Sequence, residues 1–244
     1  MKLLKISIVA SIFSLSIASC KKEETPEPTV PTPTGYTIPT TYNFSNVSYT
    51  GQTQRIAMLD ELSTYMKTGN TMGVTVDAQT MKNMFSNTGN PFADSTLNAS
   101  GKQLKNKTYS LVQALFESYF DSLALNSQST VAGTNGTAGV VVSPNDATKK
   151  YLCSATGIEY NQLITKGLMG ATFYYQAVSV YLENLTTADN TTVVDGQGTV
   201  MEHNWDEAFG YFGVPTDFPT TVTGLKYWGS YSNQRNSVLS IILL

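Results

Sequence analysis

The chain has 244 residues, with 15 Lys and Arg against 18 Asp and Glu, one His, two Cys and a formal net charge of −3. Only 14% of its residues are charged, against ~25% in an average soluble domain; Thr, Ser and Asn fill the polar positions instead. That balance excludes the dense basic surface a nucleic-acid backbone needs, so no nucleic-acid partner is expected. A single His excludes a centre built from several imidazoles, and no Cys-x-x-Cys pair exists for structural zinc or thiol exchange.

Residues 1–19 read as a lipoprotein signal peptide. Lys2 and Lys5 form a positive start, and Ile6 to Ala18 is apolar but too short to span ~30 Å of hydrocarbon. Ile17-Ala18-Ser19-Cys20 looks like a lipobox: small residues precede the cut, and the Cys20 thiol receives the lipid. Cys20 is therefore the expected lipidation site and membrane anchor. Cys153 is then left without a partner in the chain and is expected as a small buried apolar residue rather than a reactive thiol. Residues 20–42 read as a tether, because Pro26, Pro28, Pro31, Pro33 and Pro39 among threonines favour extended backbone. Lys21-Lys22-Glu23-Glu24 resembles the export signals of surface lipoproteins of Bacteroidota, and reads equally as the start of a solvated linker. The localisation expected is the outer membrane, facing the periplasm or the cell surface.

Residues 43–244 carry the pattern of a mainly helical domain with long polar loops and one short β-hairpin. Ile56, Leu59, Leu62 and Met66 repeat at helical spacing from Thr53 until Gly69 and Gly73. Asp77 caps a short helix bearing Met81, Met84 and Phe85 that stops near Asn87 to Pro91. Leu111, Leu115, Phe116, Tyr119, Phe120 and Leu123 predict a long helix over Lys105 to Asn126. Val140-Val141-Val142 pairs with Tyr151-Leu152-Cys153 as a hairpin. A second long helix is predicted over Ile158 to Asn184, its Gly167, Gly170 and Ala171 allowing close approach of the first. A further helix covers Val200 to Tyr211 and ends near Gly213. The chain stops inside Ser-Val-Leu-Ser-Ile-Ile-Leu-Leu, an apolar run without a polar tail, which reads as a truncated C-terminus or as a docked terminal element.

Glu202-His203-Asn204-Trp205-Asp206-Glu207 holds the most chemistry. On a helix His203 shares a face with Asp206 and Glu207, which offers one imidazole nitrogen and a carboxylate to a divalent metal. Glu159, a charge opening an apolar run, is the candidate ligand from another helix. The metal candidates are thus Glu159, His203, Asp206 and Glu207, with Glu202, Trp205 and Tyr160 as candidates for contact with a bound ligand. The alternative is a polar network that pins helices together beside Trp205. Catalysis finds little support and no enzyme is expected: the His-Glu-x-x-His pair of zinc peptidases and the Gly-x-Ser-x-Gly elbow of hydrolases are both absent.

Gly157-Ile158-Glu159-Tyr160-Asn161-Gln162-Leu163-Ile164, Lys166-Gly167-Leu168-Met169-Gly170-Ala171 and Glu202 through Tyr211 resemble the signature blocks of an uncharacterised family of Bacteroidota lipoproteins. That family is similar to imelysins, helical envelope proteins linked to iron handling and once classed as peptidases. Imelysins carry Gly-x-His-x-x-Glu, commonly followed by Tyr. Laid over Ser154 to Tyr160, the motif keeps Glu159 and Tyr160 but places Ser154 at its glycine and Thr156 at its histidine. The resemblance implies an imelysin-like helical bundle in a cell-envelope lipoprotein that binds a divalent metal or an iron-related solute. A structural or protein-interaction module of the outer membrane, with an envelope protein as partner, is the competing expectation.

Overall fold

A computed structural model describes Gly35 and residues 37–239. The signal peptide, Cys20, most of the tether and the last five residues lie outside the described residues. From Pro39 onward the chain forms one unit. Its elements are α1 (Thr50–Thr68), α2 (Ala78–Ser86), α3 (Ser95–Ala99), α4 (Gln113–Ser127), β1 (Gly139–Ser143), β2 (Asp146–Cys153), α5 (Tyr160–Leu168), a π-helix (Met169–Leu182), α6 (Val200–Phe212) and α7 (Tyr227–Leu239). The fold is mainly helical, with a single two-stranded antiparallel sheet among the described residues.

Elements with strong local signals form where the sequence places them. The α1 stripe of Leu59, Leu62 and Met66 is fully buried and packs on Met81 and Phe85 of α2 and Phe120 and Leu123 of α4 in one core. Asp77 caps α2 by accepting from the Thr80 amide at 2.6 Å, and Asn87 ends it in the left-handed conformation. In the hairpin Val140 faces Leu152 and Val141 faces Tyr151. Both of these β-branched residues sit on a short pleated ribbon, one face of which meets the core through Val140 and Leu152. Thr199 and Glu202 close a capping box at the start of α6, with the Glu202 amide donating to Thr199 Oγ1 at 3.2 Å and the Thr199 amide to Glu202 Oε2 at 2.7 Å.

Both predicted long helices need correction. The first begins only at Gln113; before it, 105–107 and 110–112 make separate 3₁₀ turns. Their backbone groups serve tertiary partners instead: Gln113 Nε2 donates to the Lys105 and Thr108 carbonyls at 2.8 and 3.0 Å, and the Tyr109 amide donates to the Ala171 carbonyl at 2.8 Å. The second is α-helical only to Leu168 and continues as a π-helix, closed by the Glu183 amide on the Val178 carbonyl at 3.1 Å. Apolar residues on both sides of this segment read the same at either helical period, which is why the sequence did not separate them. The helix α7 has no periodic signal over most of its length; only its end, 237–239, falls in the run read above as a truncated C-terminus or a docked terminal element. Tyr42, which composition assigns to the tether, is integrated into the domain: its ring stacks on Phe209 at 3.9 Å between centroids.

The three small residues expected to mediate close helix approach behave differently. Gly167 lies against the Phe116 ring of α4, so that a Cβ there would sit 2.8 Å from the nearest ring carbon. Gly170 faces open space. Gly167→Ala is therefore expected to destabilise by about 1–3 kcal/mol through overpacking against a buried ring. Gly170→Ala is expected to be neutral or stabilising by up to about 1 kcal/mol. Urea denaturation of both variants checks this, and equal losses would contradict it.

Candidate functional site

The N-terminal half of α1 continues the buried stripe of Leu59 and Leu62 with two polar residues, Gln52 and Arg55, exposed by only 2% and 5%. α6 reaches this end of α1 because Gly210 has no side chain; a Cβ there would meet Tyr49 Cβ at 2.6 Å and Gln52 Cβ at 2.8 Å. Gln52 Nε2 then donates to Glu207 Oε1 at 2.8 Å, and His203 Nε2 lies 3.9 Å from the same oxygen. A cleft of about 510 Å³ opens where the first turns of α1, the 100–107 segment and α6 meet. Among the described residues its walls carry hydroxyl, amide and charged side chains with two rings, Tyr49 and His203, and no aliphatic side chain.

Three cations line it: Arg55, Lys102 and Lys107. Arg55 is fixed by backbone carbonyls, donating from Nε to Gln103 at 2.8 Å and from NH1 to Gly51 at 3.1 Å. Among the described residues no carboxylate forms an ion pair with it. A buried cation without such a partner is costly, and proteins rarely keep one. Lys107 is held by the π-helix: Gln176 Nε2 donates to its carbonyl at 2.8 Å, and its Nζ donates to Tyr181 Oη at 3.0 Å. Burial, then the Arg55 charge, pulls the Lys107 ammonium below its usual value. Behind this cluster Tyr211 is 1% exposed, and burial pushes its hydroxyl up to about 12 against the neighbouring Arg55.

The residues selected from sequence are brought together only in part. His203 and Glu207 share the cleft as their spacing implies. Asp206 does not join them; it is 5% exposed and accepts from Tyr42 Oη and the Ser48 amide, both at 2.8 Å, which ties the entering chain to α6. Burial raises its carboxyl above the ordinary value against those two bonds. Glu202 is committed to the capping box, Trp205 is exposed on α6, and Tyr160 packs against Tyr119 at 5.7 Å between ring centroids.

Glu159 is the clearest departure. It precedes α5 at the other end of α1, where it feels the Lys67 charge, whereas Glu207 meets Gln52. Those two α1 positions are roughly 22 Å apart at helical rise, so Glu159 and His203 cannot share an ion. Among the described residues no group of three His, Cys, Asp or Glu side chains is placed to hold a metal. Glu159 Oε1 is buried without a partner, and burial raises its carboxyl despite Gln162 and Lys67. Cys153 is half-buried, and burial with the Glu159 charge pushes its thiol up, the opposite of an activated nucleophile.

Sequence reading missed Arg55, Lys102, Lys107 and Tyr181. One signal was present: Gln52 and Arg55 fall on the same three-to-four spacing as Leu59, Leu62 and Met66, so an arginine occupies an apolar stripe. Lys107 carries no such signal, because its position depends on the π-helix.

A family model described as Domain of unknown function (DUF4856) matches residues 39–240, and the chain belongs to that family. No curated protein and no solved structure matches it. Among the described residues no helix is long and apolar enough to cross a membrane.

The raised carboxyl of Glu159 gives a signed expectation. Its folded pKa lies above the unfolded one, so the stability it contributes is full at low pH and is lost as pH rises through the folded value. Glu159→Gln should thus raise the melting temperature at neutral pH, with the gain vanishing below roughly pH 4, the unfolded range of a glutamate. Melting curves across that range check it; destabilisation at neutral pH would mean that the ionised carboxylate has a favourable role.

Proposed function

We propose that this DUF4856 protein is an envelope lipoprotein, anchored through Cys20 and carried on its Pro-rich tether, whose helical domain binds a small hydrophilic solute in the α1/α6 cleft. The observation that carries this reading is the cleft itself. It is built from four separate parts of the chain, it has the size of a small-molecule site, and its wholly polar and charged walls suit a ligand that competes well for water. Of the solutes the sequence suggests, a bare divalent metal fits least, because Arg55, Lys102 and Lys107 face one carboxylate, Glu207. An iron-related solute fits as a hydrophilic complex. The kinship to imelysins and the Bacteroidota origin belong to the same proposal and rest on the Glu159-Tyr160 and Glu202 to Tyr211 blocks.

One observation favours a second reading, a module that docks an envelope protein. Where the 109–115 segment meets the π-helix, Tyr109, Leu111, Leu115, Tyr174 and Val178 are exposed, Leu111 by 78%. Tyr109 lies against the π-helix, its ring 5.0 Å from that of Tyr175, and clustered exposed apolar side chains are a common mark of interaction surfaces.

One measurement separates these readings. Native mass spectrometry of protein released gently from its own membranes should show a bound small molecule, and Gly51→Trp, which fills the cleft beside Lys102, should lose it without unfolding. Identical spectra for the two proteins would remove the solute-binding reading and leave the docking module. Independently, Cys20→Ser should shift the protein from the membrane to the soluble fraction; unchanged fractionation would refute the anchor.

A further inference from the structure

Resting on the cleft reading above, we infer that the bound solute is an organic oxyanion, carrying a carboxylate or a phosphate ester that sits against Arg55, Lys107 and Lys102. A guanidinium has five N–H donors in a fixed fork. Two contacts of Arg55 go to the Gln103 and Gly51 carbonyls, and neither carries a negative charge. The side chain is thus oriented by neutral acceptors in a 5% exposed position, with no carboxylate among the described residues within 4.0 Å of its charge. Such an arrangement costs stability in the empty protein and is repaid when an anion arrives.

The neighbouring charges reinforce that field. Lys107 is fixed at backbone and ammonium by Gln176 and Tyr181. Lys102 overhangs the first turn of α1, where its Cε lies 3.2 Å from the point a Cβ on Gly51 would occupy. No side chain caps that turn, so the positive end of the helix dipole faces the same space. The one carboxylate that lines the cleft among the described residues, Glu207, accepts from Gln52 at 2.8 Å and is approached by His203 at 3.9 Å. Three cations and a helix start against one engaged carboxylate leave a net positive seat. At about 510 Å³ the cleft is far larger than an inorganic ion, and the remaining walls offer amides and hydroxyls from Gln54, Ser100 and Gln197. The occupant is therefore an anionic group on a polar organic body, bound through charge-assisted hydrogen bonds.

Isothermal titration calorimetry of the dialysed mature chain with citrate, glucose 6-phosphate and glucose tests this. Citrate or glucose 6-phosphate should bind, with affinity falling as salt is added; which of the two responds tells carboxylate from phosphate. Lys102→Met and Lys107→Met should each weaken that binding by about tenfold or more. They are preferred to Arg55→Met, which orphans two part-buried carbonyls and risks unfolding. Glucose should give no heat. No binding of either anion, binding of glucose as tight as glucose 6-phosphate, or anion binding unchanged in both variants would overturn the inference. The mass-spectrometric comparison of the parent with Gly51→Trp decides separately whether the cleft holds any solute at all.

Discussion

A buried cation with no carboxylate in ion-pair contact among the described residues is the constraint on which this domain turns. Arg55 sits inside the apolar stripe of α1, and its charge cannot be removed by deprotonation. The fold answers with geometry rather than neutralisation: two carbonyls orient the guanidinium, and a cleft reaches it from solvent. Core residues such as Leu59, Leu62 and Phe120 hold α1 against α2 and α4, so the position of Arg55 is as rigid as the core itself.

The less regular parts of the structure serve the same end. The π-helix spends its polar side chains on the 104–108 segment, through Gln176 on the Lys107 carbonyl, Tyr181 on its ammonium and Thr172 on Thr108 at 2.7 Å. Gln176 takes the Lys107 carbonyl, an acceptor that a continuing helix would use, and the 3₁₀ turn at 105–107 delivers Lys107 to the cleft. On the opposite wall Gly210 lets α6 lie against Tyr49 and Gln52. Asp206 then anchors the entering strand of chain on the back of α6, leaving Glu207 on the cleft side. Adjacent acidic residues on one helix thus have separate positions, one tying in the entering chain and one facing the cleft.

Much of the fold was legible in the sequence, because its signals are local. Asp77, Gly69, the Val140 to Val142 run and the apolar period of α1 each act within a few residues, and each appears where expected. The π-helix and the 3₁₀ turns were not legible, since they are set by hydrogen bonds between segments about 70 residues apart in sequence. The site divides the same way. His203 and Glu207 meet because one helical turn brings them together. Glu159 was joined to them by inference across two helices, and the length of α1 separates them. Arg55 was visible as a charge on an apolar stripe, but its meaning required knowing that no carboxylate among the described residues forms an ion pair with it.

The most direct test follows Arg55 itself. The chain has only two arginines, Arg55 and the exposed Arg235, so their side-chain Nε–H signals can be assigned in a ¹H–¹⁵N spectrum by Arg235→Lys alone. The buried, hydrogen-bonded Arg55 Nε–H should exchange slowly with water and shift progressively as glucose 6-phosphate or citrate is added, while Arg235 stays unmoved. An Arg55 signal that does not move while either anion saturates the protein, or a shift confined to Arg235, would contradict the claim that the cleft is built around an uncompensated arginine.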